Sequence, residues 1–314
     1  MKIISMKKKS SSFTKSKNSD IRQMDLMLLP GLLLVLVFCY IPMFGVILAF
    51  KNFNPNLGIF ASKWVGFDNF KFFFASNDFF RLMRNTLLYS LGFLAIGNIA
   101  NIIFAIMCYN IKRKVALKFY QTTAILPTFM SMVLMSYIVY AVLSPTSGIL
   151  NMIIKMMGGE AIEWYSEPKY WPVILTITNI WKGTGYGSLI YFATMVGIDE
   201  TLFEAAEIDG ANKWNQIVHI IIPEIMGLLC LQIIMGVGHA MSGDFGLFYQ
   251  IPRNIGLLYP TTDIFNTYVF RALQEGSSMG RTTAVGLFQS VTGIILLLIT
   301  NGVIKKIDSD KAMF

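Results

Sequence analysis

Apolar residues fall into six long stretches, approximately 26–50, 85–110, 119–143, 170–195, 217–241 and 282–304, separated by more polar segments. A hydrocarbon layer about 30 Å thick takes roughly 20 apolar residues of helix to cross. Each stretch is long enough, so the pattern predicts six transmembrane helices in an all-α, polytopic membrane protein. The first, third and sixth stretches are clean. The others carry polar or charged residues, notably Asn98, Asn101, Lys182 and Glu224, and such groups at membrane depth must face other helices or water. The chain then divides into a Ser- and Lys-rich tail over 1–25, expected to be disordered, a first helix with an outer interfacial segment over 26–84, a five-helix core over 85–304 and a tail over 305–314. The first stretch follows a long basic region and precedes no small-x-small cleavage site, which suits a retained helix rather than a removed leader.

Composition agrees with the pattern: 54% of the residues are hydrophobic and 14% charged, where a soluble domain carries roughly a quarter charged. No length remains for a separate catalytic domain. Cys39, Cys108 and Cys230 are far apart, and His219 and His239 are the two histidines, so neither a disulfide framework nor a metal site is expected. No GxxxxGK[ST] sequence, Ser-His-Asp set or paired carboxylates occur, and the chain is expected to bind no ATP, metal or other cofactor itself.

The net charge of +8 matters through its placement. With the N-terminus inside, 15 basic residues lie in cytoplasmic segments and 10 outside, Lys182 being intramembrane. The positive-inside rule thus puts both termini in the cytoplasm. The excess charge belongs to a lipid surface, where each juxtamembrane cation gains about 1 kcal/mol, and nucleic acid is not implied. Between the first two stretches, Trp64, Phe67, Phe70, Phe72, Phe73, Phe74, Phe79 and Phe80 read either as an interfacial amphipathic element or as an aromatic belt. Residues 148–159 are too short to cross and are expected to lie as a short helix on the outer face.

The loop over 198–223 breaks the charge rule. Asp199, Glu200, Glu204, Glu207 and Asp209 oppose the single base Lys213 on the side where bases should prevail. Asp199 and Glu200 suit a helix N-terminus, and Gly210 is placed to end or bend that helix. Glu200, Glu204 and Glu207 share one face, a like-charge arrangement that costs some tenths of a kcal/mol per pair and asks for a cationic partner. Ala205 and Ala206 leave a flat surface beside it. By pattern alone the loop could equally be a solvated acidic segment.

The run EAAEIDGA, eight residues, then IIIP resembles the EAA motif of the transmembrane subunits of binding-protein-dependent ABC importers, on Glu204, Ala205, Ala206, Asp209, Gly210, Ala211, Ile220 and Pro223. Ile222 stands where that motif usually has Leu. WVGFDNFKFFF at 64–74, NTLLYS at 85–90 and NIWKGTGYGSLIYFATM at 179–195 resemble the carbohydrate, maltose-permease-like branch, in particular the subgroup serving oligosaccharides and polysaccharide fragments. The resemblance spans the chain from about residue 25 onward. It implies the type I ABC importer permease fold, with residues 199–215 as a coupling helix that docks on an ATPase. Implied partners are a second permease subunit, two copies of a cytoplasmic ATPase that use ATP and Mg, and an extracytoplasmic sugar-binding protein, all at a bacterial cytoplasmic membrane.

Lys182 lies mid-stretch, where an unpaired charge costs roughly 2.5–3.5 kcal/mol. Trp181 and Tyr186 neighbour it, and Gly183, Gly185 and Gly187 permit a local break or close packing. One reading puts Trp181, Lys182, Tyr186, Gln232 and His239 along a sugar pathway, with rings stacking on sugars and the ammonium meeting hydroxyls or a uronate. The other makes Lys182 a polar contact within the bundle or with the second permease. An ion-coupled secondary transporter is a rival reading but would need intramembrane carboxylates, and Glu224 alone is available. A non-transporting scaffold and an importer of a non-sugar solute also remain open.

Overall fold

The computed structural model describes residues 26–308. The tail over 1–25 and residues 309–314 lie outside the described residues. Helix α1 (Leu26–Phe50) leads into a two-stranded antiparallel hairpin, β1 (Lys51–Asn52) with β2 (Lys63–Trp64), and a short helix α2 (Asp68–Phe74). Then come α3 (Asn77–Tyr109), α4 (Lys114–Phe129), α5 (Met132–Leu143), α6 (Ile149–Met156) and α7 (Trp171–Val196). A short α8 (Glu200–Ile208) precedes α9 (Lys213–Gly238), and α10 (Phe245–Gln250), α11 (Phe265–Gln274) and α12 (Met279–Ile307) complete the described chain.

Four of these helices, α1, α3, α9 and α12, are long and apolar enough to cross a membrane. The fourth stretch becomes α7, whose 26 residues suffice in length but whose polar positions keep it outside that set. Two of its hydroxyls are satisfied within the helix: Thr176 donates to Pro172 O at 2.7 Å and Thr178 to Ile174 O at 2.8 Å, the back-bonding that lets such side chains sit in a helix.

The third stretch is not the single continuous helix its clean pattern predicts. Lys114–Phe129 and Met132–Leu143 meet at 102°. Pro127 has no N–H to donate, and the chain tightens into a 3₁₀ turn over Leu126–Phe129 before Met130 and Ser131 turn extended. Ser131 then caps α5, its hydroxyl accepting from Leu134 N at 3.2 Å, a strong restart signal. Pro42 and Pro223 break nothing, because a π-turn immediately precedes each, over Leu36–Tyr40 and Ile217–Ile221, and absorbs the missing hydrogen bond.

The bundle has two poles. At one, α3, α7 and α9 pack through Ala105, Tyr191, Met195, Ile221 and Ile225 beside the α8 loop. At the other, α5, the start of α7 and α10 bury Met135, Leu143, Trp171, Leu175, Leu247 and Phe248. Here α6 is a short helix on the surface, as expected for residues 148–159, and is tethered by the buried Asn151, whose Oδ1 accepts from Ile162 N at 3.0 Å and Trp164 Nε1 at 3.1 Å. The aromatic stretch divides its labour. Phe73 and Phe79 enter a core with Phe265 and Phe288, docking α2 onto α12, while Trp64, Phe67, Phe72 and Phe80 remain exposed.

NTLLYS is a clamp. Asn85 Nδ2 donates to Asp263 O at 3.0 Å, Tyr89 Oη to Thr261 O at 2.7 Å and Ser90 Oγ to Ala240 O at 2.6 Å, while Thr86 Oγ1 accepts from Phe265 N at 3.3 Å. These bonds hold the start of α11 and the segment before it, together with Ala240 just past the end of α9, against α3. Asp263 is fully buried there between Arg271 at 2.7 Å and Arg81 at 3.1 Å.

Candidate functional site

The acidic loop folds as two short arms around a turn. Asp199 caps the first, its Oδ1 accepting from Thr201 N at 3.0 Å, and this bond holds its carboxyl below the ordinary value. At the far end Gly210 adopts φ +79°, and Ala211 N donates to Ala206 O at 2.8 Å while Gly210 N donates to Glu207 O at 3.1 Å. That pair of bonds closes a helix through a left-handed residue, the conformation glycine takes without steric cost. Asn212 then caps the second arm by accepting from Asn215 N at 2.8 Å, and the arm runs through the π-turn and past Pro223 into α9. The loop is therefore continuous with a membrane helix.

Glu200, Glu204 and Glu207 do share a face, and with Tyr109, Phe203, Lys213 and Gln216 they line a cleft of about 240 Å³. The chain supplies one cation itself. Lys213 Nζ donates to Glu207 Oε1 at 2.9 Å, Gln216 Nε2 adds a longer bond at 3.3 Å, and these contacts with the Lys213 charge hold the Glu207 carboxyl below its ordinary range. Glu200 and Glu204 form no ion pair among the described residues. Phe203, not singled out by the sequence, roots α8 in the bundle by packing its ring on Tyr109 at 6.1 Å. Its signal was an aromatic at i+3 from Glu200 amid acids. Outside the cleft the loop exposes three large apolar side chains, Leu202, Ile208 at 87% and Trp214 at 69%. Ala205 is exposed and Ala206 half-buried.

Lys182 points at the break between α4 and α5. Its ammonium donates to Met130 O at 2.6 Å and Thr128 O at 3.2 Å, with Pro127 O at 3.5 Å, and Thr128 Oγ1 returns a bond to Lys182 O at 2.8 Å. Thr128 O and Met130 O are carbonyls that the interrupted helix leaves open, while Pro127 O also accepts from Met130 N at 3.2 Å. Close approach is permitted by Gly185, where a Cβ would collide with Ala124 O. The polar residues of the second stretch also face α7: Asn98 Oδ1 accepts from Tyr191 Oη at 2.6 Å, and Asn101 packs on Gly187.

Trp181 and Tyr186 are exposed, at 42% and 60%. Gln232 is half-buried and His239 exposed, the latter with Nδ1 2.9 Å from Met235 O in its own helix. No hydrogen bond or ring contact joins these four among the described residues, so the single chain does not gather them into one pocket. Glu224 is exposed beyond Pro223. No group of three or more potential metal ligands occurs among the described residues.

Comparison with known proteins places this architecture. The family model for the binding-protein-dependent transport system inner membrane component matches residues 97–309. Protein LplB of Bacillus subtilis (strain 168) is 35% identical, over 91% of this chain and 89% of its own. The polygalacturonan/rhamnogalacturonan transport system permease protein YteP of the same organism is 32% identical, over 90% of this chain and 87% of its own. A crystal structure of a bacterial ABC transporter involved in the import of the acidic polysaccharide alginate contains a chain that superposes with a TM-score of 0.85 at 30% identity, covering 95% of this chain and 99% of that one. The same likeness holds, at a TM-score of 0.83, 30% identity, and 92% and 97% coverage, for the bacterial alginate ABC transporter in complex with an alginate pentasaccharide-bound periplasmic protein. The chain belongs to the family of binding-protein-dependent transport system inner membrane components: it is a multi-pass ABC permease subunit with the type I fold.

Proposed function

We propose that this chain forms half of the membrane pathway of an ATP-driven carbohydrate importer whose cargo is an acidic oligosaccharide. The observation that carries the reading is the α8 loop. It exposes the apolar side chains of Leu202, Ile208 and Trp214, is closed by a left-handed Gly210, and continues through its second arm into α9. A docked ATPase that moves α8 therefore moves a membrane helix with it. Glu200, Glu204, Ala205, Ala206, Glu207, Asp209, Gly210, Ala211 and Pro223 form this lever.

The remaining parts follow from that role. A second permease completes the pathway, two copies of a cytoplasmic ATPase use ATP and Mg, and an extracytoplasmic binding protein delivers the sugar. Both termini face the cytoplasm of a bacterium, and transport proceeds by alternating access with Trp181, Lys182, Tyr186, Gln232 and His239 toward the pathway. An acidic cargo is supported by the names of relatives, a polygalacturonan/rhamnogalacturonan permease and an importer of the acidic polysaccharide alginate. The test is reconstitution of the complete complex in proteoliposomes. Uptake of uronate oligosaccharide should require both ATP and the binding protein. Uptake driven by an ion gradient without ATP would overturn the reading.

A further inference from the structure

At the pole opposite α8, the turn after α10 is held in a conformation that side chains normally avoid. Arg253 has φ +59° and Asn254 φ +51°, and a non-glycine residue in that region pays roughly 1–2 kcal/mol. The fold maintains it: Tyr259 Oη donates to Asn254 Oδ1 at 3.0 Å and Asn254 N donates to Tyr249 O at 3.1 Å. The effect of the turn is to lay the Arg253 side chain over α5. Its guanidinium carbon sits 4.3 Å from the ring centre of Tyr140 and 5.7 Å from that of Tyr137.

The neighbouring arginines at this pole have carboxylate or carbonyl partners, whereas Arg253 has none among the described residues. Arg81 pairs with Asp78 at 2.8 Å and with Asp263, Arg271 pairs with Asp263, and Arg84 donates to Asn85 Oδ1 and Pro260 O. The Arg253 guanidinium makes no hydrogen bond and no ion pair among the described residues, so its five donors are free while stacking orders their plane. Tyr137 is 58% exposed, and the hydroxyls of Tyr137 and Tyr140 likewise make no hydrogen bond among the described residues. Beneath them Tyr165, 7% exposed, packs on Tyr140 at 5.5 Å and Trp171 at 5.1 Å. Its hydroxyl is buried and makes no hydrogen bond among the described residues.

We propose that Arg253, Tyr137 and Tyr140 form a specificity site that reads the carboxylate of a uronic-acid residue in the cargo, an assignment that rests on the acidic-oligosaccharide reading above. A planar guanidinium matches a carboxylate with two parallel N–H···O bonds. The exposed Tyr137 ring meets the apolar face of a sugar, and the free phenols meet its hydroxyls. Lysine cannot reproduce this arrangement, since its ammonium offers charge without the fork or the stacked plane.

The test uses the complete complex in proteoliposomes. Binding-protein-dependent uptake is measured for galacturonate, mannuronate and guluronate oligosaccharides and for their neutral methyl esters, each at saturating sugar. The ratio of acid to ester uptake in each variant is divided by the parental ratio, which cancels the binding protein's own preference. Arg253→Gln should lower that ratio about tenfold or more, as expected for losing a charged hydrogen bond. Arg253→Lys should fall between, with subunits copurifying as in the parent. If the parent favours the acids and both variants keep the parental ratio, Arg253 does not read the carboxylate and the acidic-cargo reading survives. If the parent moves none of the acids, that reading fails and the site fails with it. Equal loss for acid and ester with a higher half-saturating concentration of binding protein would make Arg253 a docking contact, overturning the assignment. Should Arg253→Gln fail to assemble, Arg253→Lys decides alone: an assembled complex with an unchanged ratio refutes the site.

Discussion

The Lys182 ammonium lies 2.6 Å from Met130 O, so the cation in the fourth apolar stretch caps the break in the third. Each half of this arrangement explains the other. A charge at membrane depth needs compensation, and a helix interrupted at Pro127 has carbonyls to offer.

Lys182→Met should therefore act on stability. A buried acceptor left without its donor costs about 1–3 kcal/mol, and more than one is exposed here. The variant complex should melt several degrees lower in detergent, and uptake should fall with it. A variant with parental melting and selectively lost uptake would show that the ammonium serves the cargo.

Gly210→Val tests the lever. Nothing lies within 4 Å of a Cβ at this position, so the expected effect is the backbone strain of φ +79°, roughly 1–2 kcal/mol. The variant should insert normally yet lose coupling of ATP hydrolysis to uptake. Glu204→Lys should do the same by reversing a charge in the cleft. Parental uptake and ATPase association in both would remove the loop from the mechanism.

Asp263→Asn should be among the most damaging single changes. It leaves Arg271, 13% exposed, without its carboxylate, while Arg81, 30% exposed, keeps Asp78 at 2.8 Å, and breaking a buried pair from one side costs about 3–5 kcal/mol. Reduced membrane yield and a lowered melting temperature are expected. Adding Arg271→Met should recover part of the loss, and failure to recover any would mean the carboxylate acts chiefly through Thr267, whose hydroxyl donates to it at 2.8 Å.

The α8 arm should be insensitive to pH over most of the accessible range. The Glu207 carboxyl is held below its ordinary value of 4.5 by the Lys213 hydrogen bond. A lowered folded value means the bridge is fully present above 4.5 and is lost only as pH falls through the lower value. Hydrogen exchange of α8 amides, corrected for intrinsic rate, should stay flat from about pH 8 to 5. Loosening already at pH 6 would refute the bridge.

Topology is tested by labelling. In a variant lacking Cys39, Cys108 and Cys230, single cysteines at Ser16 and at the exposed Ser147 should react from opposite membrane faces. Labelling from one face would contradict the orientation read from the basic residues.

The helical class, the position of the long helices and a helix ended or bent at Gly210 were legible in the chain alone. Each is a local property: hydropathy over one span, acids at Asp199 and Glu200 suited to a helix N-terminus, and a glycine where the helix stops. What it could not reveal depends on residues distant in the chain. The bend at 129–131 left no mark on hydropathy, since Pro42 and Pro223 interrupt equally apolar stretches without bending them. Whether a proline is absorbed by a π-turn or opens a break that Lys182 fills is decided by the neighbouring helix, 52 residues away for Met130. The roles of Asn85 and Asp263, 178 residues apart, and of Arg253 over Tyr140 likewise exist only once packing sets distances. A free cation and a paired one are the same letter in the chain, and only the tertiary structure distinguishes them.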